Sequence, residues 1–100
     1  MASLYLQGGR PHIVAYTCGT QCLYFIKIIT KKGVGYTFNT KFIKRDDATH
    51  VIQRITERNC VDLTHWGRFS AVPADYLTSK EVTQQVFDKL WHNNEGRIHM

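Results

Sequence analysis

Not one aspartate or glutamate occurs in the first 45 residues of this 100-residue chain, although seven basic side chains do: Arg10, Lys27, Lys31, Lys32, Lys41, Lys44 and Arg45. Residues 46–100 hold eight acidic and six basic groups, so the net charge of +5 is concentrated at one end of the sequence. Such asymmetry points to a polyanionic partner. The plainer alternative is a solvated sheet face, where lysines discourage edge-to-edge aggregation.

Other absences narrow the class. Cysteine is scarce and odd in number, at Cys18, Cys22 and Cys60. With no secretory signal, that favours free thiols in a reducing compartment over a disulfide framework. The longest apolar stretch is broken at Lys27, so no segment suits a bilayer span. The start, Met1 to Arg10, lacks both the basic opening and the apolar run of a signal peptide. The expectation is therefore an intracellular chain without a membrane partner, cytoplasmic, or nuclear if its source is eukaryotic. The sequence also lacks G-x-S-x-G, H-E-x-x-H and P-loop strings, and any RNP-type signature, GXXG loop or zinc knuckle. It reads as a non-enzymatic binding domain that needs no cofactor.

What is present suits one globular domain. Apolar residues make up 43% and charged residues 21% of the chain. At this length a single domain buries roughly 65% of its unfolded surface and can fold without a staple. The expected division is a flexible lead-in over 1–10, one α+β domain over 11–92 and a frayed tail over 93–100.

Three strands are predicted in succession: 12–17, 22–31 and 36–43. They are rich in β-branched and aromatic residues and separated by glycine turns, which implies an antiparallel meander. Side chains alternate faces along a strand, so register decides what is buried. An odd-numbered second loop places Tyr24, Ile26, Ile28, Tyr36, Phe38 and Phe42 together as the core face. It leaves Lys27, Lys31, Lys41, Thr37 and Asn39 on the other face, beside Phe25 and Ile29. Asp46 then opens a helix over 47–58, with Ala48, Val51, Ile52 and Ile55 as its apolar stripe and Asn59 as its stop. Residues 60–64 suit a fourth strand, and Trp66 to Phe69 a loop. Thr78 and Glu81 fit a capping box before a second helix bearing Val82, Val86, Phe87, Leu90 and Trp91. The expected fold is thus α+β: an antiparallel sheet of three to four strands in the order β-β-β-α-(β)-α, with two helices packed on one face.

Three sites follow from this sketch. The first is a nucleic-acid surface, or one for a nucleic-acid-bound protein. There Lys27, Lys31, Lys32, Lys41, Lys44 and Arg45 contact phosphates and Phe25 offers a stacking ring. The second is a protein-interaction patch of Phe25, Ile29, Trp66 and Phe69, serving an inhibitor, an adaptor or a homodimer. The third is a zinc site, joining Cys18 and Cys22 at one turn to Cys60 and His65.

Overall fold

The apolar run that begins at Cys22 becomes the central strand, because alternate residues find a hydrophobic partner on each side of it. The computed structural model describes residues 3–5, 9–92 and 97–99. In chain order these form strands β1 (Ser3–Tyr5), β2 (His12–Cys18), β3 (Gln21–Ile29), β4 (Gly35–Phe38) and β5 (Thr40–Phe42). Helix α1 (Arg45–Arg58), β6 (Cys60–Asp62), a 3-10 turn (Leu63–His65) and β7 (Trp66–Phe69) follow. The chain continues with β8 (Lys80–Glu81), helix α2 (Gln84–Trp91) and β9 (Arg97–His99).

Among the described residues the main sheet has seven strands, running β7-β4-β3-β2-β8, with β5 on β3 and β9 on β5. A separate pair, β1 with β6, is antiparallel. The count exceeds the three to four strands expected. The additions are short pieces that carry no alternation of their own, and they form by pairing with an edge already present. They include Trp66–Phe69, expected as a loop, which pairs antiparallel with β4. They also include Ser3–Tyr5 and Arg97–His99, which lie where a flexible lead-in and a frayed tail were expected.

The predicted register holds. A five-residue connection, residues 30–34, joins β3 to β4 and sets Lys27 opposite Thr37 and Ile28 opposite Tyr36. It is closed by Thr30 N–H donating to the Val34 carbonyl at 2.9 Å, and Gly33 supplies the left-handed turn at φ 79°. Farther along, Tyr24 pairs with Phe42. Tyr24 to Lys27 is three steps and Thr37 to Phe42 is five, so two residues bulge around Asn39. The bulge parts β4 from β5 without inverting the faces. Asn39 uses its freed backbone elsewhere, donating to the His65 carbonyl at 2.8 Å and accepting from Arg97 N–H at 3.1 Å.

Each face of the sheet has its own core. On one face Ile26, Ile28, Tyr36 and Phe42 pack with Ala48 and Ile55 of α1, Val61 of β6 and Trp66 of β7. On the other, Val14, Tyr16, Leu23 and Phe25 pack with Phe87 of α2, and Leu90 and Trp91 lie against them. The helices therefore cover opposite faces, which corrects the expectation that both lie on one. The two faces of β3 explain this. Its odd residues Leu23 and Phe25 are as apolar as its even ones, and burying such a side chain stabilises by about 1.5–3 kcal/mol.

Helix α1 ends as predicted, with Asn59 in the left-handed conformation at φ 54°. Helix α2 starts later than predicted. Thr83 is its N-cap, its hydroxyl accepting from Val86 N–H at 3.3 Å, whereas Thr78 caps nothing. The reason is tertiary. Lys80 and Glu81 pair in parallel with Tyr16 and Thr17, so the open edge of β2 takes residues that a local capping box would have used.

Candidate nucleic-acid interface

The residues expected on one exposed face fall into three places. Lys27 and Lys41 are buried, at 8% and 1% relative exposure, and Phe25 is buried at 7%. This corrects the reading of all three as surface contacts: Phe25 belongs to the second core, and the two lysines are buried. Lys31 and Lys32 are exposed on the β3–β4 connection. Lys44 and Arg45 are exposed at the start of α1, beside Asp46 and Asp47 of its first turn. These carboxylates favour the positive helix end and locally offset the two cations.

Lys27 is held by tyrosines. Its ammonium donates to the Tyr16 hydroxyl at 2.5 Å and lies 4.5 Å from the centre of the Tyr76 ring and 5.0 Å from that of Tyr16. The negative ring faces stabilise a cation withdrawn from water. Lys41 serves a different purpose. Its ammonium donates to the Leu90 carbonyl, and to that of Trp91 at 3.0 Å, so it closes the last turn of α2. Burial lowers its pKa from the ordinary lysine value.

The segment 70–79, which has no regular structure, carries Tyr76 across the sheet. A turn forms where Tyr76 N–H donates to the Pro73 carbonyl at 3.1 Å. The ring then lies over Gly35. A β-carbon there would sit 2.9 Å from Val72 Cγ2 and 3.0 Å from Tyr76 Cζ, so only glycine leaves room. The Tyr76 hydroxyl shares a hydrogen bond with Thr37 Oγ1 at 2.7 Å, and burial pushes its pKa up to about 12. The segment is fastened beyond Tyr76 by Ser79 Oγ, which accepts from Ala15 N–H at 2.8 Å.

The ring of Phe69 rests edge-on against Tyr76, with centroids 5.6 Å apart, yet remains 45% exposed. Phe69 pairs with Gly35, and Gly35 is the first strand residue after the Lys31–Lys32 connection. Arg68 pairs with Tyr36 on the α1 side of the same edge and is exposed. Gly9 runs against the Ile29 carbonyl, which brings exposed Arg10 to the end of β3 from which that connection springs. One end of the sheet thus carries Arg10, Lys31, Lys32 and Arg68 with an exposed aromatic ring. Among the described residues none of these four cations makes an ion pair. The nearest carboxylate in sequence to Tyr76, Asp75, is already engaged by Lys80 at 2.8 Å, which also lowers the Asp75 pKa.

The alternative protein-binding set does not assemble. Phe25 and Trp66 are buried, Ile29 is half-buried, and only Phe69 stands exposed. The zinc set does not assemble either. Thr17 pairs with Cys22 and Cys18 with Gln21, so the two thiols project from opposite faces of the hairpin. Cys18 Sγ instead lies 3.5 Å from Gln84 Oε1 of α2. Among the described residues no group of three or more histidine, cysteine or acidic side chains could hold a metal. Also among the described residues, no helix is long and apolar enough to cross a membrane.

Sequence reasoning named Phe69 only for the protein-interaction patch and missed Arg68, because it placed both in a loop. Tyr76 was out of reach, since its segment has no periodicity. One signal existed: a lysine in the middle of an apolar strand needs a partner for its ammonium, and tyrosine is a fitting one. No protein-family model matches this chain, and no curated protein or solved structure matches it.

Proposed function

We propose that this chain is a non-enzymatic nucleic-acid-binding domain that grips phosphates with the cationic end of its sheet. The supporting observation is the set of Arg10, Lys31, Lys32 and Arg68, four exposed cations around one end of β3 and its neighbours, none of them in an ion pair among the described residues. Cations placed in this way release counterions from a phosphate backbone, and that release drives association. Lys44 and Arg45 follow closely on Phe42, whose partner Tyr24 lies five residues back along β3 from Ile29, so they form no part of this cluster.

The test is binding of the purified chain to labelled single- and double-stranded DNA and RNA across a salt series. Binding that weakens steeply with salt is the expected result. The double change Lys31→Glu with Lys32→Glu should weaken binding to every sequence and reduce the salt slope by about 1–2. Both positions are exposed, so the fold should persist, which circular dichroism checks. No binding at low salt, or unchanged binding by the double variant, overturns the proposal.

A further inference from the structure

We infer that the exposed ring of Phe69 is a base-stacking platform, so that the nucleic acid taken at this end of the sheet is single-stranded. The inference rests on the phosphate-binding reading above and adds the class of ligand.

Three large apolar side chains are exposed among the described residues: Ile43, Phe69 and Val86. Of the three, Phe69 alone has a flat π face, and it pairs with Gly35, the first strand residue after the β3–β4 connection that bears exposed Lys31 and Lys32. It is also braced. Tyr76 supports it from one side at 5.6 Å, and Tyr76 is itself tied to Thr37 and seated over the Lys27 ammonium. A ring braced from one side and open to water on the other loses little freedom when a base is laid on it. Stacking of this kind requires a base withdrawn from a duplex, because bases in a duplex already stack on each other. The charge around the ring fits the same ligand, since a strand whose base rests on Phe69 has its phosphates beside Lys31 and Lys32. Phe69 lies on β7, whose outer edge has no partner strand among the described residues.

The deciding experiment compares a short oligothymidylate with an abasic oligomer of equal length and charge, both titrated with the full chain at low salt. Oligothymidylate should bind more tightly, by about fivefold or more. Phe69→Ala should bring the two affinities together while leaving that for the abasic strand unchanged, and Phe69→Trp should keep the gap. Equal affinities in the unaltered chain, or a gap that survives Phe69→Ala, overturn stacking and leave the phosphate reading intact. Failure to bind either oligomer overturns both.

Discussion

An ammonium group taken out of water costs several kcal/mol unless the protein replaces its hydration. Lys27 meets that cost with one hydroxyl at 2.5 Å and two ring faces within 5.0 Å. The arrangement sets the outcome of substitutions there. Lys27→Met keeps the volume and removes the charge together with its desolvation cost, so it should change stability by no more than about 1 kcal/mol. Both changes strip Tyr16 of its donor, but Lys27→Ala also leaves a cavity and should cost about 2–4 kcal/mol. Urea unfolding of the two variants checks the difference. Lys27→Glu would set a carboxylate against two negative ring faces, so charge reversal at this position reports on folding and says nothing about phosphate contacts. Lys41, which closes α2, carries the same warning.

At the scale of the element, local signals were reliable wherever no sheet edge competed for the same residues. Helix α1 stops at Asn59 because that residue reaches the left-handed conformation and donates its N–H to the carbonyls of Ile55 and Thr56. The second helix shows the competition. Thr78 and Glu81 have the spacing of a capping box, yet Val82 N–H donates to the Thr17 carbonyl at 2.8 Å and Lys80 and Glu81 extend along β2. Edge pairing satisfies several backbone groups at once, where a box satisfies two. Thr83→Ala should therefore lower stability by about 1 kcal/mol through loss of the cap. Thr78→Ala should leave thermal and urea midpoints unmoved. The reverse ranking would restore the capping box.

At the scale of the molecule, three layers depend on how segment 70–79 and α2 close the second face of the sheet. Tyr76 is the main fastening of that segment, through Thr37, Gly35 and the Lys27 ammonium. Its folded pKa, raised from 10.0 to about 12 by burial, means that the fold prefers the neutral phenol. A raised pKa gives stability that is complete below the unfolded value and lost as pH climbs through the folded one. The fold should thus lose stability between about pH 10 and pH 12. Tyr76→Phe should remove this part of the loss, read as a shallower fall of the urea midpoint over that interval. An identical slope in the two proteins would show that Tyr76 does not link pH to this closure.

The order of the three meander strands and the two helices, the odd-numbered connection and the parity of the faces follow from the sequence alone, because alternation and turn residues act over a few neighbours. So does the gathering of cations in the first 45 residues. Only the tertiary structure decided which of those cations meet water. Lys27, Lys31 and Lys41 share a parity, yet the first and last lie under Tyr76 and α2 while Lys31 stays in solvent. What covers the second face comes from residues far along the chain, some in a segment with no repeat of its own. Alternation divides a strand into two faces, and the segments that later pack against it determine which of them is buried.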